Sequence, residues 1–333
     1  MPDGHAVANT PRLPADLRPL EGWFAARMGA REVSIRETAL LPGGAVQRNW
    51  RLTLDVDGRS RDVVLRTGPD IALPESRSKG AEFALLSHAH AAGIRVAEPL
   101  WVEPGGEVIG RAFLVSAFCD GNADRQVLFA RPDNDALLEQ LGDALARVHG
   151  AGIPDGLVPE TPRERVDTLQ EWACDLDSVP RGVAAGLDWL DVNAPEATLP
   201  TLVHRDFRTG NFLIAADRLE ALLDWEFAAA GDPHEDIGWF CAECWRGGNV
   251  SREAGGLGDR AVFLDAYVAA GGANPDPQRV GFWEVFAHIR WALIAMQQAR
   301  RAEAGEYPDW ELIEAGNRVP GLSAKILTMI GVT

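Results

Sequence analysis

The fold of this chain is decided by Leu202-Val-His-Arg-Asp-Phe-Arg-Thr-Gly-Asn-Phe-Leu-Ile214, together with Leu222-Leu-Asp-Trp-Glu226. Two short apolar runs flank an Ala-Asp-Arg turn, which predicts a β-hairpin that Asn211 enters and Asp224 leaves. Antiparallel pairing would bring these two oxygen donors together, an arrangement that suits a hard cation such as Mg²⁺. Asp206 lies one loop earlier, where its carboxylate could receive a proton from an attacking hydroxyl.

The sequence outside this stretch predicts two regions of different secondary structure. Alternating apolar residues and an Asp57-Gly58 turn predict an antiparallel meander, with strands at residues 33–41, 49–56, 62–66, 96–102 and 113–118. Apolar spacing of three and four residues predicts helices at residues 21–28, 78–92, 135–148, 258–271 and 278–302. We therefore expect an α+β fold with a flexible N-terminus (1–20), a β-rich N-terminal lobe (21–118) and a mainly helical C-terminal lobe (119–333).

Composition limits the classes of protein to consider. The 333 residues are 46% hydrophobic and 24% charged, which is typical of a globular protein of one large or two ordinary domains. The net charge of −17 argues against nucleic acid and anionic membranes as partners. Neither a secretory signal nor a spanning segment of roughly 20 apolar residues is evident, so we expect a cytoplasmic protein. Only two lysines occur, Lys79 and Lys325, so most phosphate contacts would have to come from arginine.

The motif His-Arg-Asp-x-x-x-x-Asn, with a later Asp, resembles the catalytic loop of kinases. Asp224-Trp-Glu226 and Gly231-Asp-Pro-His-Glu-Asp-Ile-Gly-Trp239 resemble the aminoglycoside phosphotransferase and choline kinase-like family, over about residues 30–300. This resemblance implies a two-lobed, protein-kinase-like fold that binds ATP between its lobes. It also implies that Asp206 is the catalytic base, Asn211 and Asp224 are Mg²⁺ ligands, and Asp236 organises the loop.

The resemblance implies a set of nucleotide contacts in the N-terminal lobe. Gly43 and Gly44 lie in the turn where backbone amides could approach phosphate. Arg66 stands on the third strand where the family usually has lysine, and Glu82 on the following helix is its expected partner. Lys79, about one helical turn before Glu82, is the alternative phosphate ligand.

The same resemblance gives expected roles to residues between the lobes and in the catalytic loop. The backbone from Ser116 to Phe118 is expected to hydrogen-bond adenine. Arg208, two residues after Asp206, would help to neutralise the transferring phosphate or would form an ion pair within the loop. His204 is expected to orient the backbone of this loop.

Two residue patterns have alternative interpretations. The tryptophans of the C-terminal lobe could line an aromatic acceptor pocket or pack in the core, and they are Trp239, Trp245, Trp283 and Trp291. Cys241-Ala-Glu-Cys244 lacks further zinc ligands at suitable spacing, so packing of a helical face that includes Trp239, Phe240 and Cys244 is the favoured interpretation.

The sequence therefore predicts an Mg²⁺-dependent phosphotransferase that uses ATP, or alternatively GTP, on a hydroxyl of a small molecule. The acceptor could be aminoglycoside-, choline- or sugar-like, and the acidic composition leaves open whether it is cationic. Alternatives are a catalytically inactive nucleotide-binding regulatory module of the same fold, for which Arg66 is the main argument, and nucleotidyl transfer on this scaffold.

Overall fold

The computed structural model describes residues 13–42, 48–68, 75–303 and 310–332. The chain divides into two compact units, which we call the first unit (Met1–Ser87 with Ala97–Cys119) and the second unit (His88–Val96 with Asp120–Thr333). The domain boundaries expected from the sequence stay a prediction.

The first unit is built on a five-stranded antiparallel sheet in the order β1-β2-β3-β5-β4. Its elements are α1 (Arg18–Met28), β1 (Val33–Leu40), β2 (Arg48–Val56), β3 (Arg59–Thr67), α2 (Lys79–Ala91), β4 (Pro99–Glu103) and β5 (Phe113–Ala117). The last residues of α2 are assigned to the second unit. Alternate residues of β2, Leu52 and Leu54, are fully buried beside Phe24 of α1, as the alternation in the sequence predicts.

The β2–β3 connection shows why this sheet forms where the sequence predicts it. Asp57 and Gly58 both have positive φ, at 49° and 82°, which is the backbone conformation of a two-residue type I′ hairpin. The amide of Gly58 donates to Asp55 Oδ1 over 2.8 Å. The turn therefore fixes the register in which Arg66 of β3 faces Asn49 of β2.

The second unit is mainly helical and carries two small two-stranded sheets, β6-β9 and β7-β8. Its elements are α3 (Arg125–Phe129), α4 (Asp135–Gly150), α5 (Pro162–Cys174), α6 (Arg181–Asn193), β6 (Thr201–Val203), β7 (Phe212–Ala215), β8 (Arg218–Leu222), β9 (Ala229–Gly231), α7 (His234–Cys241), α8 (Arg260–Ala269), α9 (Pro277–Glu303), α10 (Trp310–Asn317) and α11 (Val319–Met329). Apolar side chains of α5, α6, α9 and α11 form its largest core cluster. The predicted α+β class, with an antiparallel sheet followed by a helical part, is confirmed.

Two element boundaries differ from the sequence-based expectation. The segment expected to be loose, residues 1–20, is helical from Arg18, because Pro19 is tolerated in a first helical turn and Leu20 is fully buried. The strand expected at 96–102 begins at Pro99, where the missing N–H of proline suits the first position of a strand.

Within the described ranges, none of the helices has the length and apolar character needed to cross a membrane.

Candidate active site

The predicted hairpin is present and brings its two ends together. Strands β7 and β8 pair antiparallel with Phe212 opposite Leu222. One residue beyond this pair, the amide of Leu223 donates to the carbonyl oxygen of Asn211 over 2.8 Å. Asp224 follows in the left-handed region, with φ 64° and ψ 62°. Asparagine and aspartate adopt this region more readily than other residues with a side chain, which fits an aspartate at this corner.

Asp206 is buried, with 6% of its surface exposed, and its carboxylate receives three side-chain hydrogen bonds. Oδ1 accepts from Nε of Arg208 at 2.9 Å and from the indole Nε1 of Trp239 at 3.0 Å. Oδ2 accepts from Nδ2 of Asn211 at 2.6 Å, and the same amide nitrogen donates to the Asp206 carbonyl at 2.9 Å. The structure thus places Asp206, Arg208 and Asn211 together, as the sequence predicts, and adds Trp239.

The backbone before Asp206 is held by a second buried carboxylate. Asp236 accepts from the amide of His204 at 2.7 Å and from the amide of Arg205 at 2.6 Å. Arg205 has φ 62°, a conformation that costs energy for a residue with a long side chain. Nη1 of Arg290 donates to the Arg205 carbonyl at 2.8 Å, so both backbone polar groups of Arg205 are hydrogen-bonded. These contacts support the predicted role of Asp236 in organising the loop.

His149 connects Asp236 to the helices behind it. Nε2 of His149 donates to Asp236 Oδ2 at 3.2 Å, and Nδ1 lies 2.8 Å from the hydroxyl of Tyr267. Burial alone would raise the pKa of Asp236, but the hydrogen bonds from His149 and His204 hold it below its ordinary value. An ionised Asp236 can accept from all three donors at once. Sequence reasoning missed His149 and Tyr267, because each stands in an ordinary helical pattern.

His204 is itself fully enclosed. Burial lowers the pKa of its imidazole, and its Nδ1 accepts the amide of Asp206 over 3.3 Å. A neutral ring with an unprotonated Nδ1 can accept in this way, whereas an imidazolium cannot. The contact is consistent with the predicted role of His204 in orienting the loop backbone.

Helix α7 carries both Asp236 and Trp239, and it packs unusually close to α9. A Cβ added to Gly238 would lie 2.4 Å from Cβ of Trp283 and 2.8 Å from the carbonyl carbon of that residue. Only glycine allows this approach. The close packing sets where the side chain of Trp239 points.

The residues at the ends of the hairpin fit a hard cation. Nδ2 of Asn211 is turned toward Asp206, so the carbonyl oxygen of the amide is the atom left for a metal. Asp224, at the other end of the hairpin, supplies a carboxylate and is only partly buried. One carboxylate and one amide oxygen match the sparse protein coordination that Mg²⁺ accepts beside phosphate oxygens.

In the first unit, two cations share one buried carboxylate. Glu82 is fully buried, with Oε2 at 2.6 Å from Nζ of Lys79 and Oε1 at 3.3 Å from Nε of Arg66. Oε1 nevertheless lacks a hydrogen bond of good geometry among the described atoms. We therefore regard the Arg66 contact as an ion pair and the Lys79 contact as the hydrogen-bonded one. The expected pairing of Arg66 with Glu82 is present, but Lys79 shares it.

The other nucleotide contacts expected from the sequence differ in their setting. Ser116 lies inside the sheet, paired with Val64 on one side and Pro99 on the other, so its backbone faces neighbouring strands. Phe118 follows the end of β5, and the guanidinium of Arg51 lies over its ring at 4.2 Å. The adenine contact expected of this segment stays a prediction. Gly43 and Gly44 lie outside the described residues.

The four tryptophans named from the sequence separate into two groups. Ring centroids of Trp239 and Trp245 are 5.0 Å apart, and those of Trp245 and Trp291 are 4.8 Å apart. The guanidinium of Arg208 lies over Trp245 at 4.9 Å, which connects this group to the loop that carries Asp206. Trp283 instead belongs to the main helical core, with 1% of its surface exposed.

The Cys-x-x-Cys segment has the character of core packing. Cys241 is fully buried at the end of α7, and burial raises the pKa of its thiol to about 12. Cys244 lies beyond that helix, in the 3₁₀ turn Glu243–Trp245, and packs against the cluster that contains Trp239 and Trp245. Burial raises its pKa as well. Protonated thiols in apolar surroundings are poor metal ligands, so packing remains the better interpretation.

Comparison with known proteins gives matches at the level of both sequence and fold. Among curated proteins, the chain is 25% identical to mouse acyl-CoA dehydrogenase family member 10 over 255 residues, which is 72% of this chain and 23% of that protein. It is 24% identical to homoserine kinase of Rhodopseudomonas palustris over 178 residues, or 49% of this chain and 51% of the kinase. The chain thus spans between about a quarter and a half of these relatives.

Solved structures share the fold. A Ralstonia eutropha protein assigned to the aminoglycoside phosphotransferases gives a TM-score of 0.73 at 20% identity, covering 95% of this chain and 98% of that one. An aminoglycoside phosphotransferase in ternary complex with AMP-PNP and hygromycin B gives 0.63 at 18% identity, covering 94% and 98%. A choline/ethanolamine kinase family protein from Mesorhizobium loti gives 0.57 at 19% identity, covering 88% and 92%.

These matches confirm the protein-kinase-like fold expected from the catalytic-loop motif. A family model described as the phosphotransferase enzyme family matches residues 37–283, which include Glu82, Asp206, Asn211 and Asp224. Because this match covers well over half of the sequence, the chain belongs to the phosphotransferase enzyme family.

Proposed function

We propose that the protein is a small-molecule kinase that transfers the γ-phosphoryl group of ATP to a hydroxyl of its acceptor with the help of Mg²⁺. The observation that carries the proposal is the set of contacts around Asp206, whose buried carboxylate is held by Arg208, Asn211 and Trp239. A solved relative of the same fold binds AMP-PNP, which supports a nucleoside triphosphate as the donor.

In the proposed reaction, Asp206 orients the acceptor hydroxyl and takes its proton. The hydroxyl oxygen forms a bond to the γ-phosphorus while the bond from that phosphorus to the β,γ-bridging oxygen breaks, leaving the phosphorylated acceptor and ADP. Arg208 lies beside the carboxylate and is partly exposed, so its guanidinium can neutralise charge on the transferring group. Asn211 and Asp224 would hold Mg²⁺, which supplies charge neutralisation on the phosphate oxygens.

The first unit is proposed to contribute the grip on the nucleotide. Arg66, kept in place by Glu82, would contact the α- and β-phosphates, and the backbone near Phe118 would contact the base. Arginine offers a forked donor to phosphate, so the role does not require lysine. The names of the relatives refer to different small molecules, so the acceptor of this chain has to be found by experiment.

The test is to incubate the protein with MgATP or MgGTP and a panel of hydroxylated compounds, following nucleoside diphosphate release. The panel should include aminoglycosides, choline, homoserine and sugars. We expect at least one acceptor to stimulate turnover in the wild type and not in Asp206→Asn. If MgATP binds but no acceptor is phosphorylated, the inactive nucleotide-binding module is favoured, whereas pyrophosphate release with labelling of the acceptor by AMP would indicate nucleotidyl transfer.

A further inference from the structure

We propose that Trp239 is a positioning residue for the catalytic base: its indole N–H fixes Oδ1 of Asp206 so that Oδ2 faces the acceptor hydroxyl. The inference rests on the proposed function, since it concerns how the base of that reaction is oriented. Trp239 lies on α7, 33 positions along the chain from Asp206, and its Nε1 is 3.0 Å from Oδ1.

The hydrogen bonds to Asp206 divide unevenly between its two oxygens. A carboxylate oxygen has two lone pairs. Oδ1 uses both, one for Arg208 and one for Trp239, whereas Oδ2 accepts only from Asn211 among the described residues. The remaining lone pair of the carboxylate is therefore on Oδ2, and this is the atom to which the acceptor proton would pass.

Trp239 is better suited than Arg208 to hold the carboxylate throughout the reaction. The side chain of Arg208 is 23% exposed, and its charge is needed at the phosphate as the group transfers. Trp239 has only 3% of its surface exposed, and its N–H is a neutral donor with no competing electrostatic role. The other guanidinium N–H groups of Arg208 can turn to phosphate while its Nε stays on Oδ1, and the indole N–H keeps Oδ1 in place.

The indole ring is itself clamped by its surroundings. The guanidinium of Arg290 lies over the Trp239 ring at 4.6 Å, and the ring of Trp245 contacts it at a centroid distance of 5.0 Å. Arg290 also holds the carbonyl of Arg205, so one side chain braces both the catalytic loop and the tryptophan that binds its base. A ring that served only to fill space would not need its N–H aimed at a carboxylate.

The experiment separates the N–H from the ring. Trp239→Phe removes the donor and part of the ring, while replacement of Trp239 by 3-benzothienylalanine keeps the bicyclic shape and removes only the N–H. We expect each variant to lower kcat about tenfold to hundredfold, the range expected for losing a hydrogen bond to a charged group. The KM values for MgATP and acceptor should stay within about twofold of the wild type, because the contact orients the base and binds neither substrate.

Trp283→Phe is the matched control. Trp283 is also buried, and its indole nitrogen has no hydrogen-bond partner among the described residues. Phenylalanine keeps the Cβ and the backbone atoms against which Gly238 packs, so kcat should stay within about twofold. Wild-type kcat in the benzothienylalanine variant would overturn the proposal. A change in KM for MgATP at constant kcat would also overturn it.

A measurement independent of turnover keeps this inference separate from the proposed function. In a ¹H–¹⁵N spectrum of the indole groups, the Trp239 signal, assigned by its loss in Trp239→Phe, should shift more than the Trp283 signal in Asp206→Asn. An unmoved signal would overturn the hydrogen bond. If the wild type phosphorylates no acceptor, the proposed function fails, and this spectrum still decides whether Trp239 holds the carboxylate.

Discussion

Glu82 in the first unit and Asp206 in the second are both buried carboxylates, but their partners differ in kind. Glu82 is bound by two cations, Lys79 and Arg66. Asp206 is bound by one cation and by two neutral N–H donors, from Asn211 and Trp239. Charges attract over a range of geometries, whereas a neutral N–H stabilises a carboxylate only along its own direction. The first arrangement therefore suits a structural anchor, and the second suits a base that must keep a fixed orientation.

The largest effect is expected from Asp206→Asn. An amide of the same shape cannot take the acceptor proton, so kcat should fall by about 10²–10⁴-fold, the usual contribution of a general base. Binding of MgATP, measured by calorimetry, should stay within a few fold of the wild type. Turnover close to that of the wild type would show that this carboxylate is not the base. The contrast between Asp206 as a base and Glu82 as a structural anchor would then not hold.

Glu82→Gln tests whether Glu82 is a structural anchor. The variant leaves Lys79 and Arg66 facing a neutral side chain in a buried place, and a broken buried ion pair typically costs about 3 kcal/mol of unfolding free energy. Urea denaturation measures this loss. Asp55→Asn is the control, because Asp55 forms an exposed pair with Arg36 and its loss should cost far less. Equal losses in the two variants would contradict the structural importance of Glu82.

Arg66→Ala and Lys79→Ala should show which of the two cations binds the nucleotide and which stabilises the fold. We expect Arg66→Ala to weaken MgATP affinity about tenfold or more, because it removes a charged hydrogen bond to phosphate. Lys79→Ala should change affinity by less than about threefold while lowering the melting temperature, since Lys79 makes the closer contact with Glu82. The reverse pattern in titrations of the two variants would make Lys79 the nucleotide ligand.

The stability of the second unit depends on His288 staying uncharged, so the free energy of unfolding should fall at acid pH. Burial lowers the pKa of His288 from 6.5 to about 4, and repulsion from Lys325 and Arg246 acts in the same direction, whereas the hydrogen bond to the Glu284 carbonyl and the attraction of Glu243 oppose the shift. The unfolded chain then binds more protons than the folded one between these values. Stability from this group is present above about pH 6.5 and is lost as the pH falls toward 4.

His288→Gln isolates that contribution. Between pH 7 and pH 5, the wild type should lose about 1–2 kcal/mol more unfolding free energy than His288→Gln, as measured by urea denaturation at both pH values. His90→Gln removes an exposed histidine and should behave like the wild type. Equal pH dependence in wild type and His288→Gln would mean that His288 is not buried as a neutral ring in solution.

The hairpin from Phe212 to Leu222 could be predicted because its information is local. An apolar run, a polar turn and a second apolar run specify the pairing, and the spacing then fixes where Asn211 and Asp224 stand. The i, i+3 contact of Lys79 with Glu82 is local in the same sense. The sequence places the two residues one helical turn apart, but it named Lys79 as the alternative phosphate ligand and Arg66 as the partner of Glu82.

The bond from Trp239 to Asp206 could not be predicted in this way. The direction of the indole depends on how α7 packs against α9, which involves Gly238 and Trp283, 45 positions apart in the chain. The contact of His149 with Tyr267 spans 118 positions and depends likewise on helix packing. No repeat or spacing in the sequence encodes such contacts, because they arise only when separate elements meet.

The close approach of α7 to α9 at Gly238 also gives a sequence criterion for finding related proteins with the same packing. The atoms that would obstruct a methyl group at this position are Cβ and the backbone of Trp283, so a smaller side chain at 283 would not make room for it. A single substitution at residue 238 or 283 therefore does not allow a larger residue to replace Gly238. A search for Asp-x-Gly-Trp in register with residues 236–239, downstream of a His-x-Asp loop, should pick out the lineages in which an indole orients the base.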